Sequence, residues 1–146
     1  MSVKKANDPS SISIRPARRN DGPLVLELIE PYVAQRILLP RTLDEIEDLL
    51  NNGFVAEDNG KIVGFAAVEV YSKKLAEIRS LCVADTFQRS GIGRQLVEAC
   101  VQFARERSIL EVMAITSSED FFRSCGFDFT LPGEKKAFFL QTRPEP

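Results

Sequence analysis

The run LCVADTFQRSGIGRQL, residues 81–96, holds residues whose types and spacing could do chemistry. Gly91 and Gly93 open a predicted helix and lack the side chains that would keep a ligand away from the backbone. The first amides of a helix have no partner within it, and the helix dipole adds partial positive charge there. Since Arg89 and Arg94 add full positive charges, the run is predicted to bind a phosphate or pyrophosphate.

Two common phosphate-binding loops do not fit this run. A Walker loop needs Lys followed by Ser or Thr after the glycines, and this pair is missing. The dinucleotide-binding fingerprint would place its third glycine at Leu96. On the pattern alone, a helix that starts with a glycine turn and binds nothing stays open.

The composition of the chain limits which partners, catalytic residues and metal sites are possible. The 146-residue chain carries a formal net charge of -2, which gives no support for binding to nucleic acid. It contains no histidine, so the general base must be a carboxylate, a tyrosine, a lysine or a water bound by one of them. Cys82, Cys100 and Cys125 are odd in number and far apart, which predicts free buried thiols in a reducing cytoplasm and no zinc or other metal site.

The chain is predicted to form a single domain over residues 11–146 after a flexible tail, residues 1–10. The tail lacks the apolar core of a secretion signal. No apolar run approaches the ~20 residues that a membrane-spanning helix needs. A membrane partner is therefore not expected.

A strand and two helices are predicted first. Residues 11–15 alternate as a strand does, and residues 20–23 start a helix with a capping side chain and a proline. Pro31 is predicted to kink or restart this helix. Residues 42–45 form a capping box for a second helix, which residues 51–53 end.

Three antiparallel strands are predicted to lead into the glycine loop. Residues 54–57 and 61–71 flank Asn59-Gly60, a strong hairpin signal, and residues 72–74 turn into a strand over 75–83. The helix that follows the loop is predicted to end near residue 107. It buries one apolar face, formed by Ile92, Leu96, Cys100, Phe103 and Ala104.

The end of the chain predicts a further strand, a short helix and a final pair of strands. Residues 110–115 are almost wholly apolar, as in the middle of a covered sheet, and should run parallel to residues 75–83. Ser118 is predicted to cap a helix that ends at Gly126. Residues 127–129 and 136–142 are predicted strands, joined across residues 131–133.

The glycine loop is similar to the Q/R-x-x-G-x-G/A signature of the GNAT superfamily of acyl-CoA-dependent N-acyltransferases, which Gln88, Gly91 and Gly93 match. The element order resembles the GNAT fold along nearly the whole chain, and residues 122–127 resemble the [YF]-x-x-x-G-F segment of that family. The resemblance implies an α+β fold, layered α/β/α, with a mixed sheet of about six to seven strands. It also implies acetyl-CoA as the cofactor. The cofactor-binding residues would be Leu81, Cys82, Val83, Gln88, Arg89, Ser90, Gly91, Ile92, Gly93, Arg94, Phe122 and Ser124.

Several segments resemble the acetyltransferase domain of N-acetylglutamate synthases in particular. They are residues 15–17, 38–41, 76–78, 122–127 and 131–143. In the closing L-P-x-x-K-x-x-x-Y-x-x-x-R-x-S pattern, Leu131, Pro132, Lys135 and Arg143 match, while Phe139 and Glu145 replace the tyrosine and the serine. This resemblance implies L-glutamate as the leading acceptor and a place in arginine biosynthesis. The chain is too short to hold the kinase-like arginine-sensing domain of many synthases.

The family places Glu77 at the acceptor cleft as the general base that takes the ammonium proton, directly or through a water. Period two predicts that Glu77, Arg79, Leu81 and Val83 share one strand face. The alternative for Glu77 is a surface residue that pairs with Lys74 or Arg79. A backbone N–H near Val83 would bind the thioester oxygen.

The leaving thiolate needs a proton. Many family members supply it from a tyrosine in a segment where this chain has Phe121 and Phe122. Thr116, Ser117 and Ser118 are nearby hydroxyls, and Ser117 is the preferred donor. The alternative is that these hydroxyls only cap the following helix.

The resemblance to N-acetylglutamate synthases implies four substrate-binding residues: Leu39, Arg41, Arg79 and Arg143. Arginine suits an amino-acid acceptor because it binds a carboxylate through two parallel hydrogen bonds. Each arginine could instead be an ordinary solvated side chain. Two further functions stay open: acetylation of another amine (a protein N-terminus, a lysine or a polyamine), and a CoA-sensing regulatory protein without turnover. Assembly into a homodimer is also left open.

Overall fold

The computed structural model describes residues 11–129, 137–142 and 144, and the chain divides into two units after Ile115. The first unit contains one sheet with the strand order β1-β2-β3-β4-β5. Its strands are β1 (Ile12–Pro16), β2 (Gly53–Asp58), β3 (Lys61–Val70), β4 (Leu75–Val83) and β5 (Glu111–Met113). Its α-helices are α1 (Gly22–Ala34), α2 (Leu43–Leu50) and α3 (Ile92–Glu106). Strands β1 to β4 are antiparallel, and β5 runs parallel to β4, as predicted.

Local signals account for most of these boundaries. Thr42 and Glu45 form the predicted capping box at the start of α2. Asn59 and Gly60 have φ values of +49° and +83°, the left-handed pair that a tight hairpin needs between β2 and β3. The prediction for the start of α1 was wrong in one respect: Asp21 makes no side-chain cap, because its carboxylate accepts from Arg15 and from the Arg18 amide.

Helices cover both faces of the sheet. The core beneath α1 and α2 includes Val25, Ile29, Ile46, Phe65 and Cys82. Gly64 lies next to Phe65 on β3 and therefore faces the other way. A Cβ at Gly64 would lie 3.0 Å from Leu96 Cδ1 of α3, so α3 packs on that second face. Pro31 does not interrupt α1, which runs through it to Ala34.

Strand β4 contains a bulge that the sequence did not predict. Phe65 pairs with Cys82 and Ala67 pairs with Arg79, so both Ser80 and Leu81 lie opposite the single residue between Phe65 and Ala67. Ser80 adopts a φ of +55° at this point. The extra residue reverses the alternation of faces. Arg79 and Cys82 therefore share a face.

The predicted common face for Glu77, Arg79, Leu81 and Val83 is consequently wrong beyond the bulge. Val83 pairs with Gly64, on the face covered by α3, whereas Glu77 and Arg79 lie on the face covered by α1 and α2. The bulge thus separates the residues before it from those that lead into the glycine loop.

Strand β5 is shorter than predicted and lies at the edge of the sheet within the described residues, not in its middle. Its pairing with β4 ends at Glu77 opposite Met113. Among the described residues, positions 78–83 of β4 therefore have no strand neighbour on that side. Backbone groups on this part of β4 are left for another partner.

The second unit begins at Thr116 and contains the helix α4 (Glu119–Ser124), which Gly126 ends with a φ of +91°. Ser118 precedes α4 but makes no side-chain cap, contrary to the prediction. Residues 127–129 and 137–142 form no strand, so the described sheet has fewer strands than expected. The other residues of that predicted pair of strands, and the predicted tail, lie outside the described residues.

No helix in the described ranges is both long enough and apolar enough to cross a lipid bilayer.

Candidate active site

The backbone of the glycine loop presents a row of unpaired amides at the start of α3. The first hydrogen bond of the helix runs from the Gln95 amide to the Gly91 carbonyl over 3.1 Å. Within the part of the chain that the structure describes, the amides of residues 89–93 donate to no backbone carbonyl. Amides in this position, together with the helix dipole, attract an anion.

Two loop residues adopt the left-handed conformation. Gly91 has a φ of +87°, and a Cβ there would meet no atom within 4 Å. Glycine is therefore favoured at this position by the backbone conformation and not by crowding from neighbouring atoms. Arg89 adopts a φ of +62° although it carries a side chain. Left-handed residues in a turn let successive N–H groups line one concavity, which is the usual geometry of a phosphate cradle.

A hydrogen-bond network holds the loop against β4 and α1. The Gln88 side-chain amide donates to the Val83 carbonyl (3.1 Å) and to Asp85 Oδ1 (3.2 Å). The Tyr32 hydroxyl donates to the same carbonyl over 2.6 Å and lies 3.0 Å from Asp85 Oδ1. Gln88, a predicted cofactor ligand, thus uses its side chain to position the loop.

Tyr32 is a positioning residue that the sequence did not single out. It is buried, and burial together with Asp85 raises the pKa of its phenol to about 12. The phenol therefore stays protonated and keeps donating throughout the neutral range. A polar tip on an otherwise apolar helix face is the signal that could have identified it.

The other predicted cofactor residues of the first unit divide into buried and exposed groups. Ile92 and Cys82 are buried, and burial raises the pKa of the Cys82 thiol to about 12, so this thiol stays neutral and packs in the core. Arg89 and Arg94 are exposed, where their charges can meet a ligand. Ser90 Oγ donates to the Phe87 carbonyl and closes the turn.

Glu77 lies in a polar cluster on the hairpin formed by β3 and β4. Its side chain is 8% exposed, so the carboxylate is buried and not the surface group of the alternative interpretation. Tyr71 donates to Glu77 Oε1 over 2.5 Å, and Arg79 Nη1 lies 3.5 Å from the same oxygen. No described residue donates to Oε2. One oxygen of a buried carboxylate is thus left to receive a proton from a ligand.

Arg79 is held by this cluster. Its Nη1 donates to Glu69 Oε2 over 2.6 Å and to the Tyr71 hydroxyl over 3.3 Å. Together, Glu69, Glu77 and Arg79 carry one more negative than positive charge, which suits a cationic amine. Sequence reasoning missed Glu69 and Tyr71, although residues two apart on each arm of a predicted hairpin share a face.

Arg41 has an unsatisfied donor. Its Nε is buried and makes no hydrogen bond to any described residue. A buried donor without an acceptor is costly, and a carboxylate would satisfy it. Leu39, predicted beside Arg41 at the acceptor, is exposed.

The remaining predicted site residues belong to the second unit. Phe122 is buried against Phe121 and Phe127, with ring centroids 5.1 and 5.3 Å away, as in a small core. Ser124 Oγ donates to the Phe121 carbonyl over 2.5 Å. Ser117 is exposed. Arg143 lies outside the described residues.

Comparison with known families assigns the class of protein that this fold and loop define. Residues 24–127 match the acetyltransferase (GNAT) family. The chain belongs to that family, which confirms the prediction from the glycine loop and the element order. It is an N-acetyltransferase, and members of the family take the acetyl group from acetyl-CoA.

Individual relatives carry more specific names than the family does. The chain is 36% identical to an uncharacterized N-acetyltransferase of Chlorobaculum tepidum, over 78% of this chain and 74% of that protein. It is 33% identical to an amino-acid acetyltransferase of Mycobacterium tuberculosis, over 78% of this chain and 67% of that protein.

A solved structure adds a ligand-bound comparison. The N-acetylglutamate synthase of Neisseria gonorrhoeae, complexed with coenzyme A and N-acetyl-glutamate, matches with a TM-score of 0.72 and 28% identity. The match covers 77% of this chain and 27% of the synthase, so the present chain spans only a part of that protein's length.

Proposed function

We propose that this chain acetylates the amine of a small amino acid, with L-glutamate as the leading acceptor, by direct transfer from acetyl-CoA in a ternary complex. The observation that carries the proposal is the buried Glu77 carboxylate, which has one oxygen free of donors from the described residues and lies on the strand that leads into the anion-binding loop. The amino-acid acetyltransferase and the N-acetylglutamate synthase among the similar proteins support this acceptor class. A place in arginine biosynthesis is part of the same proposal.

The residues present fit the cofactor. The unpaired amides of residues 89–93 would hold its diphosphate, and the exposed charges of Arg89 and Arg94 would add to the attraction. When bound, the cofactor supplies an acetyl thioester. A backbone N–H near Val83 is the proposed donor to the thioester oxygen, on the part of β4 that no described strand covers on the β5 side.

Glu77 is the proposed general base. A substrate ammonium must lose its proton before the nitrogen can attack the thioester carbon, and Glu77 Oε2 can accept that proton directly or through a water. The carbon–sulfur bond then breaks, and the departing thiolate takes a proton from Ser117 in this proposal. The alternative role of Ser117 and its neighbours as helix caps holds in part for Thr116, whose Oγ1 accepts from the Ser118 amide over 2.8 Å just before α4, whereas Ser118 makes no side-chain cap.

Arg41 is the proposed ligand for a carboxylate of the acceptor, because its buried Nε lacks an acceptor within the described residues. Arg79 is a weaker candidate, since Glu69 and Glu77 already neutralise it. Arg143 stays a candidate on sequence grounds. A polyamine or a lysine is the second candidate acceptor, favoured by the excess of negative charge around Glu77.

A panel of amines, with release of free thiol as the readout, tests the acceptor. We expect turnover with glutamate, and we expect Arg41→Ala to raise its KM roughly 10- to 100-fold, because a bidentate charged contact is lost. Arg105→Ala, at an exposed position of α3, is the matched control and should leave KM unchanged. Silence with glutamate, aspartate and their amides would reject an amino-acid acceptor. Full activity of Arg41→Ala on a polyamine would favour the second candidate.

A further inference from the structure

Tyr71 follows β3 directly and belongs to the cluster around Glu77. The geometry points to Tyr71 as the residue that positions the general base: its hydroxyl holds Glu77 Oε1, so that Oε2 is left for the acceptor amine. This inference rests on the proposed role of Glu77. It adds a residue that neither the glycine loop nor the acceptor pattern predicted.

The contacts form a directed chain of donors and acceptors. Arg79 Nη1 donates to the Tyr71 oxygen over 3.3 Å, and the Tyr71 hydroxyl donates to Glu77 Oε1 over 2.5 Å. The same hydroxyl lies 3.2 Å from Glu69 Oε2, so Glu77 Oε1 is the nearer of its two acceptors. The positive end of this chain polarises the phenol and strengthens its donation to the carboxylate. Glu77 is buried, so water cannot readily reach Oε1, and the phenol provides the hydrogen bond instead. Tyr71 itself is about half exposed.

The phenol is suited to a constant donor and unsuited to a proton shuttle near neutral pH. Burial of the hydroxyl, reinforced by Glu77, raises the pKa of Tyr71 to about 12. It therefore stays protonated over the range in which a carboxylate titrates. A hydrogen bond that favours the charged form of an acid opposes its protonation.

Few charged groups lie near Glu77 in the described residues. Glu69 lies directly opposite on β3 and disfavours a second negative charge, and Arg79 on β4 compensates for it. The β5 residue opposite Glu77 is Met113, which carries no charge. Helix α1, which also packs on β4, brings Tyr32, whose hydroxyl lies at Val83. Tyr71 is thus the uncharged donor that decides how Oε1 is satisfied.

Tyr71→Phe removes this donor and keeps the ring. We expect kcat/KM for the amine to fall roughly tenfold and the acid limb of its pH profile to move up by about one pH unit, because the charged carboxylate has lost a stabilising hydrogen bond. The KM for acetyl-CoA should be unchanged. Val70→Ala is the matched control, since Val70 precedes Tyr71 on the opposite face of the hairpin and is also partly exposed. It should leave the profile in place.

A measurement without turnover separates this inference from the proposed function. The carboxyl ¹³C resonance of Glu77, identified by its loss in Glu77→Gln, can be followed against pH in the wild type and in Tyr71→Phe. A midpoint about one pH unit higher in Tyr71→Phe supports the positioning role, even if no amino acid is acetylated. An unmoved midpoint overturns it, even if Tyr71→Phe is slow. Equal melting temperatures for the two proteins would exclude general unfolding as the cause.

Discussion

The glycine loop and the Glu77 cluster use opposite means to prepare for a ligand. The loop offers backbone amides, from residues 89–93, and its side chains Gln88 and Ser90 turn inward to hold the turn. The cluster offers side chains, and its backbone is committed to the ladder between β3 and β4. Backbone amides suit the diphosphate of the cofactor, which is the same in every turnover. Side chains suit the acceptor, because they can differ from one acetyltransferase to another.

The difference explains which region the sequence revealed. Backbone amides become available wherever a helix starts at a left-handed glycine, so the loop is visible in a short run of letters. A side-chain cluster needs two strands in the correct register. Its members Glu69, Tyr71, Glu77 and Arg79 look like ordinary polar residues until the hairpin aligns them.

The largest expected effect comes from Glu77→Gln. Removal of the general base should lower kcat/KM for the amine by roughly 10²- to 10⁴-fold, since Glu69, the other carboxylate of the cluster, is already bound by Arg79 and Tyr71. The dissociation constant of acetyl-CoA, measured by calorimetry, should stay the same. Glu98→Gln on the exposed face of α3 is the control for the loss of a charge. Equal losses in binding and turnover would mean that the two regions do not act separately.

Gly91→Ala should instead weaken the binding of acetyl-CoA. A side chain at a φ of +87° is strained, so the turn relaxes and the cradle of amides distorts. We expect the dissociation constant of acetyl-CoA to rise about tenfold, as a strain of 1–2 kcal/mol allows. Gly60→Ala is closely matched, with a φ of +83° and equally open surroundings in the hairpin turn. It should lose similar stability in urea and bind acetyl-CoA normally; equal weakening of binding in both variants would refute a specific role for the loop.

Tyr32→Phe is expected to be the mildest change. It removes one of two donors to the Val83 carbonyl, and Gln88 still donates to it. A single hydrogen bond contributes about 1 kcal/mol net, so the KM for acetyl-CoA should rise about threefold and the melting temperature should fall slightly. The pH profile for the amine should not move, in contrast to Tyr71→Phe. A shifted profile would show that the network at Val83 also governs the acceptor side.

Much of the fold could be predicted because its signals are local. Thr42 with Glu45, Asn59 with Gly60, and the apolar spacing along α3 each fix a boundary or a buried face within a few residues. Predictions that depended on strict periodicity failed where the ladder is irregular, as at Ser80 and Leu81 in β4.

The capping side chain predicted within residues 20–23 is missing for a different reason. Asp21 finds a stronger partner in Arg15, a residue of β1 that the sequence separates from α1. A charged pair that is partly shielded from water outcompetes the cap of a single helix.

The sequence by itself determined the family, the glycine loop and the strand that carries Glu77, because the backbone conformations and hydrophobic periods behind them arise between neighbouring residues. Only the tertiary structure decided how Glu77 is held. The bulge that sets the faces of β4, the cross-strand contact with Tyr71 and the unsatisfied Nε of Arg41 all depend on contacts between distant parts of the chain. Such contacts form only when elements pack together, so a local pattern cannot encode them.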